Sequence, residues 1–241
     1  ALAEGVVGCW RRAVAALGAQ PRVALHRLRV PASLARLGYR EIPAELKRTS
    51  LAHARIYLAT DYLPDVRRVL WLDVDTIVKA DITPLYRMHM EHVIAAAPDS
   101  KMGVVHNKHN IPWLGRHHEG EYFCSGVLLM ELRLWRLANL TAAIEKVIHD
   151  GQLILTHGHH EQPALNIVFS KKFDVLDWRW HLQTLNSHVP VPRELTDQAR
   201  ILHWNGLPEK PMVANNKTGA RKKQPNDHLY ESPGIRCEVL G

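Results

Sequence analysis

The stretch from Val69 to Tyr86, VLWLDVDTIVKADITPLY, constrains the fold of this 241-residue chain more than any other part of it. Its first four residues are apolar and typical of a buried strand, which ends on Asp73-Val74-Asp75. Because residues two apart in a strand point the same way, both carboxylates face one small volume. Like charges at that spacing repel unless a cation lies between them, and hard divalent ions prefer carboxylate oxygens. Since open α/β sheets bind ligands beyond the carboxyl ends of their strands, the stretch predicts a metal site there.

The length and the cysteine pattern narrow the class of protein. A chain of 241 residues can form one domain with a substantial core, and no apolar run reaches the length that crosses a bilayer. Three cysteines, far apart and without CxxC spacing, argue against a disulfide framework or a zinc knuckle. The chain begins with Ala1, so we expect a fragment or a processed form, with room for a membrane anchor in a missing N-terminal part.

The charge of the chain indicates its partners. A net charge of +7 favours anionic partners such as a nucleotide diphosphate or an acidic polysaccharide. The dense basic cluster at 221–223 has no interleaved aromatic residues, so we expect no nucleic-acid partner. The histidine-rich tract HGHHE at 157–161 has the composition of a metal tract, but we favour a solvated loop.

Helices alternate with short apolar strands along the chain. The sequence predicts strands at 22–30, 69–73, 77–78, 93–97, 127–131, 173–180 and 200–204. It predicts helices at 1–18, 46–60, 134–148 and 162–169, and a further helix capped by Thr83 with Pro84 at its first position. This alternation favours an α/β fold with a mostly parallel sheet flanked by helices. We expect a single domain over residues 1–212 and a polar, disordered tail over 213–241.

Five segments, taken together and in this order, resemble glycosyltransferase family 8. They are SLAHARIYLATDYLP at 50–64, LDVDTIV at 72–78, YFCSGVLLMELRLWR at 122–136, EQPALNIVF at 161–169 and ILHWNGLPEKPM at 201–212. The likeness is to the galacturonosyltransferase-like and glycogenin-like members of the family. It implies a GT-A fold with a Rossmann-like nucleotide-binding half. It also implies a retaining transferase that moves a hexose or hexuronate from a UDP-sugar to a carbohydrate acceptor, with Mn²⁺ bridging the diphosphate.

The resemblance also implies the ligands of the metal and of the donor. The LDVDTIV segment matches the DxD motif of the family, so Asp73 and Asp75 bind the metal and the donor phosphates. The histidine of the last segment, His203, completes the metal site. Arg55, Gly206 and Lys210 join the two acids in binding the nucleotide sugar.

Two adjacent polar residues, Glu161 and Gln162, are implied to face the donor sugar and to act in catalysis. Both precede or begin a helix, and the N-terminal end of a helix favours negative charge. Either side chain would stabilise the oxocarbenium-like state of the reaction.

The chain departs from the family pattern in three places. The N-terminal strand-helix-strand of the family is not recognisable, and we expect that this part of the uridine pocket is missing from the chain. Cys124 stands where the family usually has Asn. One extra residue separates Gly206 from Lys210, and Met212 replaces the usual Trp.

Other interpretations of the same residues stay open at this point. The segment Asp73-Val74-Asp75-Thr76 also fits the motif of a haloacid-dehalogenase-type phosphatase, in which the first Asp is a nucleophile. The chain could be an inactive or binding-only fragment of a GT-A protein. His203 could be a core histidine, Arg55 could pair with Asp61 on the surface, and Glu161 could be solvated.

The compartment follows from the resemblance together with two sequons. Asn139-Leu140-Thr141 and Asn216-Lys217-Thr218 fit a secretory route. We therefore expect the Golgi lumen, with the full-length form anchored in the membrane, and the cytoplasm as the alternative.

Overall fold

The computed structural model describes residues 46–99, 122–150, 161–185 and 190–205, with side chains from residue 52 onward. The described strands are β1 (Arg68–Leu72), β2 (Thr76–Val78), β3 (Ile94–Pro98), β4 (Phe123–Glu131), β5 (Asp174–Val175) and β6 (Ile201–His203). The strand predicted at 22–30, the helix predicted at 1–18 and the tail predicted at 213–241 lie outside the described residues.

Helical segments surround these strands. A 3₁₀ helix, Leu46–Tyr57, continues into a π-helical turn, Leu58–Tyr62, where the sequence predicts one helix. The described α-helices are α1 (Thr83–Tyr86), α2 (Leu132–Leu137), α3 (Leu140–Asp150), α4 (Gln162–Val168) and α5 (Arg193–Gln198). The helix α5 was not predicted. Within the described ranges, no helix combines the length and the apolar character needed to span a bilayer.

The strands form a four-stranded sheet of order β1-β4-β3-β5 and a separate pair of β2 and β6. The strand β4 is antiparallel to both β1 and β3, whereas β3 is parallel to β5. Three of the four strands therefore share one direction, and β4 alone runs against them. The α/β class is confirmed, but a mostly parallel ladder is not observed among these strands. A continuous apolar run indicates burial on both faces, which holds for a central strand of either direction.

The strand β4 lies at the centre of the core. All nine of its residues are buried, and five of them belong to two hydrophobic clusters on opposite faces of the sheet. Leu128 and Met130 pack with Ile56 and Trp135 on one face, whereas Leu129 packs in the cluster on the other face. This alternation follows from the two-residue period of a strand. It fixes the positions of the residues at the start of β4, which belong to the site described below.

The helix predicted at 134–148 is divided in two. Asn139 has a φ of 49°, a left-handed conformation that an asparagine tolerates better than most residues. The hydroxyl of Thr141 accepts a hydrogen bond from the indole of Trp135 at 3.0 Å and donates one to the carbonyl of Ile56 at 3.0 Å. These two buried bonds fix the start of α3 against α2 and the 3₁₀ helix, so α2 and α3 do not form one continuous helix.

Two other boundaries differ from the prediction. The strand predicted at 173–180 is only β5, followed by a 3₁₀ turn over Trp178–Trp180, which Asp177 caps by accepting from the backbone of Arg179. Thr83 is the first residue of α1 and not its cap. A carboxylate oxygen of Asp81 accepts from the backbone N–H of Thr83 at 2.9 Å, which stabilises the turn one residue earlier than predicted.

Candidate metal and donor site

The two acids of the DxD segment lie in the tight turn between β1 and β2. The hydroxyl of Thr76 donates to the carbonyl of Asp73 at 2.7 Å, which closes the turn. The backbone N–H of Asp73 donates to the carbonyl of Gly126 in β4 at 2.9 Å. The backbone N–H of Trp204 donates to the carbonyl of Asp75 at 2.9 Å. The turn is therefore held by both sheets, and its side chains have a defined direction.

His203, the last residue of β6, meets this turn. The strand register pairs it with Thr76, and its Nε2 lies 3.1 Å from a carboxylate oxygen of Asp75. One potential ligand atom from each of Asp73, Asp75 and His203 lies within 4.8 Å of the other two. The histidine is buried, whereas both acids are partly exposed, so the group is open to solvent on its acidic side. Two carboxylates and an imidazole suit a divalent ion such as Mn²⁺.

Arg55 is buried beside Asp73 and Glu161 and does not lie on the surface. Only 3% of it is exposed, which excludes the surface pair with Asp61. Its Nη2 lies 2.9 Å from Asp73 and its Nε 2.9 Å from Glu161, and its Nη1 donates to the carbonyl of Ser125. The guanidinium therefore binds two carboxylates from distant segments of the chain. Its predicted contact with the donor stays a prediction.

The carboxylate of Asp73 is oriented by two donors on one oxygen. Arg55 and the indole N–H of Trp71 both bind Oδ1, at 2.9 and 2.7 Å. The guanidinium carbon of Arg55 also lies 4.7 Å from the centre of the Trp71 ring, within the range of a cation–π contact. Among the described residues, none donates to Oδ2. This second oxygen is therefore available to a cation, so the residues present fit the predicted metal.

Glu161 and Gln162 meet β4 from the start of α4. The amide oxygen of Gln162 accepts from the backbone N–H of Ser125 at 2.8 Å, and its amide nitrogen donates to Asp99 at 3.1 Å. Glu161 is 1% exposed, so the solvated interpretation is wrong. Its Oε1 accepts from Ser125 and is paired with Arg55, whereas its Oε2 has no hydrogen-bond partner among the described residues. A buried oxygen of this kind is suited to a ligand hydroxyl.

Two residues around His203 were missed in the sequence. His181 Nε2 lies 2.8 Å from Nδ1 of His203, and burial, with a smaller effect of the His203 charge, lowers the pKa of His181 well below its ordinary value. A Cβ on Gly126 would lie 2.7 Å from Nδ1 of His203 and closer still to Cε1. The close approach of β4 to the imidazole therefore needs glycine at this position. The segment YFCSGV contains this glycine, but nothing in the sequence near His181 indicates its contact with His203.

Gly206, Lys210 and residues 157–160 of the histidine-rich tract lie outside the described residues. The predicted contacts of Gly206 and Lys210 with the donor stay predictions.

Comparisons with known proteins show the family of the chain. A model of glycosyl transferase family 8 matches residues 33–212. Probable galacturonosyltransferase-like 4 of Arabidopsis thaliana is 28% identical over 200 residues, 75% of this chain and 53% of that protein. General stress protein A of Bacillus subtilis (strain 168) is 27% identical over 186 residues, 70% of this chain and 61% of that protein. The chain thus spans between one half and about three-fifths of the length of these curated relatives.

Solved structures show the same fold. The galactosyltransferase LgtC, in complex with donor and acceptor sugar analogs, gives a TM-score of 0.54 at 21% identity, over 72% of this chain and 64% of that chain. The glycosyltransferase GlyE of Streptococcus pneumoniae TIGR4 gives a TM-score of 0.53 at 22% identity, over 74% of this chain and 41% of that chain. At this level of identity the likeness concerns the fold, and it agrees with the predicted GT-A architecture.

Proposed function

The chain belongs to glycosyl transferase family 8, and from this premise we propose that it transfers a hexose or hexuronate from a UDP-sugar to a carbohydrate acceptor, with retention of configuration. The proposal rests on one observation: the potential ligand atoms of Asp73, Asp75 and His203 lie within 4.8 Å of one another. Membership of this family favours a metal motif at Asp73 and Asp75 over the nucleophile of a phosphatase.

The three residues would hold Mn²⁺ against the diphosphate of the donor. Asp73 would bind through Oδ2, since Arg55 and Trp71 occupy Oδ1. His203 would bind through Nε2, which faces Asp75. A bound divalent ion supplies Lewis-acid stabilisation of the negative charge that develops on a leaving diphosphate.

Arg55 would act through the carboxylates that it binds. Its buried guanidinium binds Asp73, which would face the metal, and Glu161, which would face the sugar. The positive charge also lowers the repulsion between these two acids. Lys210 and Gly206 would complete the contacts to the phosphates, as the family resemblance implies.

Glu161 and Gln162 would face the donor sugar. The Oε2 atom of Glu161 would accept from a sugar hydroxyl, which would satisfy an oxygen that has no partner among the described residues. The amide oxygen of Gln162, oriented by Ser125, would lie against the positive charge that builds at the anomeric carbon. In this proposal Gln162 stabilises charge and Glu161 positions the sugar.

The proposal extends to the whole chain and its location. We propose one GT-A domain over residues 1–212, followed by a polar tail over 213–241. The Golgi lumen is the proposed compartment, with a pectin-like acceptor suited to a chain of net charge +7. A hexuronate donor is favoured by the galacturonosyltransferase-like relative.

The test is a screen of nucleotide sugars with the purified protein, including any coding sequence upstream of Ala1. We expect Mn²⁺-dependent release of UDP from one UDP-sugar, and a product with the anomeric configuration of the donor. Asp75→Ala should abolish release, and Asp65→Ala, at an exposed acid of the same region, should not. Binding of a UDP-sugar without turnover would favour the binding-only alternative, and a product of inverted configuration would refute the retaining reaction.

A further inference from the structure

Behind the carboxylates, Cys124, His181 and His203 form a second cluster of potential metal ligands. One ligand atom from each lies within 4.8 Å of the other two, and none of the three residues is more than 4% exposed. We propose that this cluster is a separate site for a soft divalent ion such as Zn²⁺, and that it shares His203 with the carboxylate site.

The donor set selects the metal. One sulfur and two imidazoles are ligands that Zn²⁺ prefers, whereas Mn²⁺ prefers carboxylate oxygen. Zinc bonds of about 2.0 Å to nitrogen and about 2.3 Å to sulfur place tetrahedral ligands roughly 3.3 to 3.6 Å apart. His181 Nε2 and His203 Nδ1 lie 2.8 Å apart, so they need only a small separation to admit the ion. Three protein ligands leave a fourth position for water.

A further contact at the sulfur suits the cluster to a metal. The side-chain amide of Asn205 donates to the sulfur of Cys124 at 3.9 Å, a contact that stabilises negative charge on sulfur. Burial raises the pKa of the Cys124 thiol, with a smaller contribution from the charge of Asp99, so the metal-free residue carries its proton. Zinc binding therefore breaks the S–H bond, forms a Zn–S bond and releases one proton to solvent.

The shared histidine makes the two sites exclusive. Nε2 of His203 faces Asp75, whereas Nδ1 faces His181. A neutral imidazole keeps a proton on one nitrogen and offers a lone pair on the other. It can therefore bind a metal in the carboxylate site through Nε2 or in the soft site through Nδ1, but not in both. Zinc in the soft site should displace Mn²⁺ from the carboxylate site.

The test is a Co²⁺ titration of the full chain, in which Cys9 and Cys237 are replaced by serine so that Cys124 is the only thiol. Cobalt bound to a thiolate gives a charge-transfer band in the near ultraviolet, which oxygen and imidazole ligands do not give. We expect this band at one cobalt per chain, with its loss on addition of Zn²⁺. In a parallel sample, Zn²⁺ should release bound Mn²⁺, which is measured by electron paramagnetic resonance. Because Zn²⁺ also competes directly for the carboxylate site, the evidence for the soft site is that this release requires more Zn²⁺ in Cys124→Ala.

Three variants in the same background separate the two sites. Cys124→Ala should abolish the band, and His181→Asn should abolish it or reduce it strongly, whereas Asp73→Asn should keep it. Circular dichroism identifies a variant that fails to fold. No band in the background protein, or a band that survives Cys124→Ala, would overturn the proposal. Because the titration contains no donor or acceptor sugar, its result does not depend on the proposed transfer.

Discussion

The Nε2 atom of His203 lies 3.1 Å from a carboxylate oxygen of Asp75, although 128 positions of sequence separate the two residues. The contact joins the end of β6 to the turn that leaves β1, because β6 pairs with β2 directly after that turn. A short strand pair therefore brings the imidazole to the acids. Any metal bound by these residues depends on this pairing.

Asp75→Asn should weaken Mn²⁺ binding while the fold is kept. The amide has the shape of the carboxylate and can still meet His203, but it lacks the negative charge that a divalent ion requires. We expect a loss of affinity of at least about tenfold, comparable to or larger than the effect of changing an outer-shell partner. Isothermal titration with Mn²⁺ measures it. The exposed Asp65→Asn is the matched control, and equal affinity in both variants would refute the role of Asp75.

Arg55→Met should destabilise the protein strongly. The substitution leaves the buried carboxylate of Glu161 and the partly buried carboxylate of Asp73 without their cation. Breaking a buried pair by removing one partner costs about 3–5 kcal/mol of unfolding free energy, which urea unfolding measures. The matched control is Arg67→Met, because the side chain of Arg67 is 78% exposed and should contribute less than about 1 kcal/mol.

A double variant tests the cause of that loss. In Arg55→Met with Glu161→Gln, one of the uncompensated buried charges is removed together with the cation. The double variant should therefore be more stable than the sum of the two single losses predicts. Additive losses would show that packing, and not charge, explains the effect of Arg55.

The acids of the site were predictable because their signal is local. Asp73 and Asp75 directly follow an apolar strand, so the sequence alone indicated that they lie close together, although the structure places them in a turn and not in the strand whose period was used. His203, by contrast, needed the resemblance of a whole segment, since a single histidine after a strand has many interpretations. The buried state of Arg55 was not predictable, because three of the groups that it binds lie far away along the chain, in the turn after β1, in β4 and directly before α4.

The direction and the order of the strands in the sheet were also not predictable from the sequence. The apolar run at 127–131 predicted a buried strand, but strand direction and order depend on pairing between distant segments. The contact of His181 with His203 arises in the same way, from a parallel bridge between Leu182 and Leu202. The division of the helix at Asn139 depends on Thr141 reaching the carbonyl of Ile56, which is 85 positions away. The helix and strand propensities of neighbouring residues contain no information about contacts between segments so far apart in the sequence.

Asp177, which caps the 3₁₀ turn before His181, should stabilise the fold less at low pH. Hydrogen bonds from the side chain and the backbone of Arg179 lower the pKa of Asp177 from 3.8 to about 2. Because the folded pKa is below the unfolded one, this contribution to stability is present above pH 3.8 and is lost as the pH falls through about 2. Arg179→Gln should raise the pKa of Asp177, measured by carboxyl NMR. Arg200→Gln is the control, since Arg200 is the smallest of the causes, and an equal shift in both variants would contradict the assignment.

Gly126→Ala should displace the side chain of His203 and should not strain the backbone at position 126. The φ of Gly126 is outside the left-handed region, so the space in front of it decides the outcome. A Cβ there would lie 2.7 Å from Nδ1 and 3.0 Å from Nε2 of His203. The imidazole must leave its present position beside Asp75, so Mn²⁺ affinity should fall, and the overpacking should cost about 1–3 kcal/mol of unfolding free energy. Titration calorimetry and urea unfolding measure the two effects.

A variant without the imidazole of His203 shows whether the alanine at position 126 acts through this side chain or on β4 itself. In a His203→Asn background the imidazole is absent, so Gly126→Ala should cost much less stability than it does in the native chain. Mn²⁺ affinity should be low in His203→Asn with either residue at position 126. The same loss of stability in both backgrounds would show that the alanine acts on β4 itself, and that contact with His203 is not the reason for glycine at this position.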